Sequence, residues 1–164
     1  AWRALGRLDK SAVTPAAADS SWPGRRQLWR VIHREGGRTL VVSHGLSDPF
    51  IDRMEPSVGF GLELAVEVDE PLEPVEESWP FRLLERVAEE VARKEDVRKQ
   101  VEAGLFSLEV SGEGLPGALV NREGRVAVLM GEESRTLPRH FATPFGEVRL
   151  VTLKALRPSP FLEP

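Results

Sequence analysis

Leu62-Glu63-Leu64-Ala65-Val66-Glu67-Val68 is the stretch from which the rest of the chain can be read. Leu62, Leu64, Val66 and Val68 fall on one side of an extended segment. Glu63 and Glu67 fall on the other, with Ala65 between them. A period of two with this partition predicts a strand with one face on a core and the other in water. On that reading Glu63 and Glu67 solubilise the outer face of a sheet.

Downstream, the period changes. Phe81, Leu84, Val87, Ala88 and Val91 form a stripe at helical spacing, and Glu85, Arg86, Glu89, Glu90, Arg93 and Lys94 occupy the wet side. The pattern predicts one long helix over residues 79–103. Ser78 is the predicted N-cap, and Pro80 fits a first turn whose amides are unpaired anyway. Gly104 would end the helix through a left-handed C-cap. A break near Glu95-Asp96 is compatible with the weaker spacing of Val97 and Val101.

Further strands follow. Phe106, Leu108 and Val110 alternate. Ala118–Val120 and Arg125–Met130 flank Asn121-Arg122-Glu123-Gly124 and read as a hairpin. Gly146–Leu156 is a long strand pattern. Upstream, Leu28–His33 and Arg38–Val42 are joined by Glu35-Gly36-Gly37, another hairpin signal. Trp2, Leu5 and Leu8 suggest a short helix, and residues 11–24 a loop or arm. The order strands, helix, strands shows no βαβ repeat. It predicts an α+β domain with a mainly antiparallel or mixed sheet backed by one long helix. The expected organisation is an N-terminal arm or short helix over residues 1–24, one domain over 25–157, and a Pro-rich tail over 158–164.

Composition narrows the function. The chain has 164 residues, no Cys, no Tyr and a net charge of -4. Thiol catalysis, disulfides and thiolate metal sites are excluded, and the core must hold by packing alone. The charge offers no global attraction to nucleic acid or anionic lipid. No apolar run approaches the roughly 20 residues that span a bilayer. The first residues lack the apolar core of a signal peptide. A cytoplasmic protein without a cofactor is expected. Charge is uneven: residues 55–77 hold eight acidic side chains and no basic one, whereas residues 1–38 hold eight Lys or Arg against three Asp or Glu. This contrast could steer a basic partner to one face.

Ser43-His44-Gly45-Leu46-Ser47-Asp48-Pro49-Phe50-Ile51 concentrates the residue types of a hydrolase triad. It is no nucleophile elbow, because Val41 stands where a Gly would be required and Pro49 argues for loop instead of helix. Adjacent strand residues point to opposite faces, so Ser43 and His44 are poorly placed to form a nucleophile–base pair. The set Ser47, His140 and Asp48 remains as the enzyme alternative. His33, His44 and His140 show no metal-ligand spacing, so no metal is expected. Glu63 and Glu67 could pair as acid and base only if burial raised a pKa. Gly59-Phe60-Gly61 is no phosphate loop and fits a bulge or a close strand contact at the entry to the acidic strand. Gly24-Arg25-Arg26-Gln27-Leu28-Trp29-Arg30 is the sole basic and aromatic candidate for nucleic acid, and it is short. A structural turn explains the 43–51 segment well: Asp48 before Pro49 suits an Asx-type turn, Gly45 can take positive φ, and Ser47 can cap.

Four blocks in order, Val42–Phe50, Pro56–Leu64, Trp79-Pro80 opening a helix, and Thr143–Val148, resemble the suppressor of fused domain. The resemblance covers roughly residues 28–156 and is to the N-terminal domain of the family. It implies that domain's fold and a non-catalytic, protein-binding role by occlusion, regulatory or immunity-like, in a bacterial single-domain type. Eukaryotic members clamp a short peptide as an added strand between two domains. By position, the resemblance puts the strand Leu40–His44 and the loop with Asp48 and Asp52 near the partner side. His44, Asp48, Asp52, Glu63 and Glu67 are therefore the candidate partner-binding residues. The partner expected is a protein or extended peptide carrying a basic or hydroxyl side chain and joined by β-augmentation.

Overall fold

A computed structural model describes residues 2–9, 12–13, 21–51 and 54–158. The chain folds around an eight-stranded sheet. The strands are β1 (Arg7–Leu8), β2 (Leu28–Arg34), β3 (Arg38–His44), β4 (Leu62–Val68), β5 (Phe106–Ser111), β6 (Arg125–Met130), β7 (His140–Thr143) and β8 (Gly146–Leu156). Their order is β1-β2-β3-β4-β8-β6-β5, with β7 beside β8. All pairings are antiparallel except β4–β8, which is parallel. The architecture is the α+β arrangement of a mixed sheet backed by helices.

The helical stretch is divided. Helix α1 is Trp79–Arg93 and α2 is Glu95–Ala103, with Lys94 extended between them at φ -118 and ψ 109. Breaking a helix frees carbonyls that must find donors. Arg98 supplies them: its Nη1 donates to Val91 O at 2.8 Å and Ala92 O at 3.1 Å. Ser78 does not cap α1 through its side chain. Its hydroxyl instead donates back to Val75 O at 2.6 Å. Gly104 ends α2 at φ 136 and ψ -144, outside the left-handed region predicted for it.

Both faces of the sheet are covered, which the strand pattern did not reveal. The main core lies under the helices, where Leu62, Leu64 and Val66 meet Leu84, Val87 and Val91. A second cluster lies on the opposite face. It joins Ile32, Leu40, Val42, Ala65 and Leu150 to Trp2 and Leu137. The covers come from a short 3-10 turn at Trp2–Leu5 and from the chain between β6 and β7. The face predicted to be wet is thus a second interior, and this overturns the solvated reading of Glu63.

The Glu35-Gly36-Gly37 hairpin is present, with Arg34 opposite Arg38. The second predicted hairpin is not. Residues 117–119 form a single helical turn, and β6 pairs with β5 instead. The turn itself forms where it was expected, with the Asn121 side-chain oxygen accepting from Glu123 N at 2.9 Å and Arg125 N at 3.0 Å. The arm before it is what departs from the expectation, because Gly117–Leu119 is helical where a strand was predicted.

The sheet's edges are treated differently. The β2 edge is covered by β1 and by Val13, which exchanges backbone bonds with Trp29 at 2.9 and 3.0 Å. On β5, Arg125 donates to Glu109 O at 2.7 Å and Arg86 to Ser111 O at 2.6 Å. No helix among the described residues is long and apolar enough to cross a membrane.

Candidate functional site

The loop leaving β3 turns back sharply, and its shape depends on two glycines. Gly45 has φ 153, and a Cβ there would stand 2.3 Å from Arg26 O and 2.8 Å from the Trp22 ring. Gly59 has φ 57, and its Cβ would stand 2.3 Å from Asp48 O. A close backbone contact therefore occurs at Gly59. It brings the loop before β4 against the loop after β3, where Phe60 N donates to Leu46 O at 2.9 Å.

Glu63 holds this turn from within. Its relative exposure is 0%. Oε1 accepts from the Ser43 hydroxyl at 2.7 Å and Leu46 N at 3.2 Å. Oε2 accepts from Gly45 N at 3.1 Å, Ser47 N at 2.9 Å and the Ser47 hydroxyl at 2.5 Å. Ser43 Oγ also accepts from Leu64 N at 2.8 Å, which fixes the direction of its own proton toward Glu63. Burial pushes the Glu63 pKa up, and the serine and backbone donors pull it back. Ser47 was expected to cap the turn; its hydroxyl instead donates to this buried carboxyl.

The other candidates are also engaged. Asp48 makes no Asx turn of the predicted kind. Its two oxygens each take a bond of 3.1 Å from Arg26. Glu67 sits between Arg34 at 2.9 Å and Arg38 at 3.4 Å. His44 is half-buried, and its Nδ1 accepts from Arg30 Nε at 3.3 Å. Burial lowers its pKa, with Arg26 and Arg30 adding to the effect. The Nδ1 lone pair used by Arg30 fits the neutral ring with its proton on Nε2. Arg26 and Arg30, the cationic core of the nucleic-acid candidate, are thus committed to the loop. Asp52 lies outside the described residues.

The enzyme set Ser47, His140 and Asp48 is not assembled. Ser47 serves Glu63 and Asp48 serves Arg26, while His140 stands on β7 with its Nδ1 3.8 Å from Glu147. No cluster of three His, Cys, Asp or Glu suited to a metal occurs among the described residues.

Beside the loop lies a pocket of about 370 Å³. Trp2, Pro49, Phe141, Pro144 and Phe145 give it apolar walls, and His44 and Asp48 contribute polar ones. Trp2 is central to it. Its ring stands 4.9 Å from Phe141 and 6.2 Å from His44. Phe145, on the pocket's wall, is 52% exposed. Ile51, Met54 and Leu105 are the other exposed large hydrophobic side chains among the described residues. Trp2, Phe141 and Phe145 were not singled out as site residues by sequence reasoning. Only Phe145, within the Thr143–Val148 block, carried any signal.

This topology agrees with the resemblance read from the four blocks. No protein-family model matches the chain, and no curated protein matches it in sequence. A chain of the Sufu-Fu complex crystal structure aligns over 91% of this chain and 68% of its own length, with 15% identity and a TM-score of 0.52. The chain has a Sufu-like fold. The structure of Drosophila Suppressor of Fused covers 84% of this chain and 35% of its own, with 14% identity and a TM-score of 0.49. At such identities the likeness concerns architecture alone.

Proposed function

We propose that this Sufu-like chain is a non-catalytic protein-binding domain, regulatory or immunity-like in role, that works by occluding a partner. The observation carrying this reading is the apolar pocket of Trp2, Phe141 and half-exposed Phe145. An apolar pocket open at the surface and rimmed by polar groups marks an interaction site. The polar groups around it are already paired, so they shape the loop and leave little for chemistry. That a chain of this fold belongs to the Sufu-Fu complex supports a binding role by analogy of fold.

The partner chemistry shifts from the composition-based expectation. Asp48, Glu63 and Glu67 spend their carboxylates on Arg26, on the turn donors and on Arg34 with Arg38. A basic partner would have to displace those contacts. An apolar one would meet the pocket as it stands, with His44 and Asp48 at its rim.

Co-purification from the native host tests the reading, with wild type run beside the Phe145→Asp variant. The position is exposed, so the variant should fold. A partner held by wild type and lost from the variant is the expected result. A partner retained equally by the variant would count against this face. So would an esterase activity that Ser47→Ala removes while the fold survives.

A further inference from the structure

For the β-augmentation expected beside Leu40–His44, β3 offers no open edge over Leu40–Val42, because those residues are paired with both β2 and β4. The nearest usable edge is β7. Leu150 N donates to Arg139 O at 2.7 Å, which makes Arg139 and Leu150 a hydrogen-bonded pair. Such pairs alternate along an antiparallel ladder. Phe141 with Val148 and Thr143 with Gly146 are then the next two bonded pairs. His140 and Ala142 direct their backbone N–H and C=O away from β8. Among the described residues no other strand pairs with β7, and both residues are exposed.

We propose that the outer edge of β7 receives an extended peptide segment as an added strand, and that one of its apolar side chains enters the pocket of Trp2, Phe141 and Phe145. This rests on the binding reading above and specifies its partner. Outward amide and carbonyl groups at His140 and Ala142 repeat at the spacing that another strand matches, and neither a helix nor a small molecule does. Phe141, Ala142 and Thr143 line the pocket, so three of the four residues of β7 supply both the ladder and one wall. At about 370 Å³ the pocket is at the small end for ligand sites, which suits a side chain better than a free metabolite. Successive side chains of the added strand would alternate. One side meets the apolar pocket. The other meets the groove lined by His140 together with Lys99 and Glu102 of α2. The occupant is therefore an extended segment with an aromatic or large aliphatic residue on one side and polar residues on the other.

The probe is a phage-displayed library of random dodecapeptides, panned on the full chain, with selected peptides synthesised and titrated. Ala142→Pro removes an outward N–H without touching a bond to β8, a place where an edge strand tolerates proline. Ala142→Val keeps that N–H. The expected outcome is peptides of alternating apolar pattern that shift the amide signals of residues 140–143. They should bind Ala142→Pro at least roughly tenfold more weakly and Ala142→Val as well as wild type. Peptides that need Phe145 yet ignore Ala142→Pro would overturn the strand and leave the binding face standing. Selected peptides indifferent to both would overturn both. A chain that dimerises through β7, with Ala142→Pro making it monomeric and no peptide bound, would make a second copy the occupant and refute the proposal.

Discussion

Replacing Glu63 tests the central piece of the turn. Glu63→Gln keeps the shape of the side chain but leaves it one acceptor oxygen. If its NH₂ takes the Oε1 position, it confronts the Leu46 N–H; at Oε2 it confronts those of Gly45 and Ser47. The serine hydroxyls can rotate, but the backbone amides cannot. At least one amide of the turn loses its acceptor in either orientation, at a cost of about 1–3 kcal/mol. Glu63→Ala strands the buried amides of Gly45 and Leu46 together and opens a void, so its loss should be about 3–6 kcal/mol. Against this stands the cost of burying a carboxylate, which replacement would relieve. Urea unfolding decides which effect wins. The expected order of stability is wild type, then Gln, then Ala, with amide exchange rising first at residues 43–48. The pH dependence gives a second reading. Burial holds the folded-state pKa above the ordinary value of 4.5, so this stabilisation is complete below 4.5 and lost as pH rises through the folded value. A protonated Glu63 still offers both oxygens to the amides, whereas glutamine does not. The deficit of Glu63→Gln should therefore widen as pH falls from neutral toward 4.5. A Gln variant as stable as wild type at neutral pH would refute the reasoning, because the donors would then be giving Glu63 nothing that an amide cannot match.

Two further outcomes follow from the same loop. His44 has its folded pKa lowered, so its contribution is present above 6.5 and is lost as pH falls below that value; His44→Gln should flatten that limb of a stability–pH curve measured by urea unfolding. Gly45→Ala would drive a Cβ into Arg26 O and the Trp22 ring, so it should lower stability by more than about 2 kcal/mol in thermal melts.

Local pattern carried the β2–β3 hairpin, the α1 stripe and β8, because each depends on neighbours in sequence. Glu63 was illegible for a related reason. Alternation in β4 separates two faces but does not say whether both are covered. The second cover comes from Trp2 and Leu137, at opposite ends of the chain. Ser43 and Ser47 were read as turn residues; Ser47 is one, whereas Ser43 lies within β3. Their acceptor lies on the next strand, beyond the reach of a local motif. Asp48 and the Arg26 pair show the same limit: both were noticed, in separate hypotheses, and the fold makes them one contact. The 118–130 hairpin failed in its first arm: Ala118–Val120 looked strand-like, but Gly117–Leu119 is a helical turn and β6 pairs with β5, while Asn121 turns the chain where it was expected to.

Arg86 and Arg125 also limit which edges of the sheet stay open. A fibre of sheets grows only if each unit offers two complementary edges, one to give and one to receive. Here the guanidinium groups occupy the Ser111 and Glu109 carbonyls on β5, and the far end of the sheet narrows to the two residues of β1. The short β7 is left as the usable side. Copies that met through it would close on a two-fold axis and stop. The same arginines that finish one edge thus bias this chain toward discrete complexes and away from open-ended polymers.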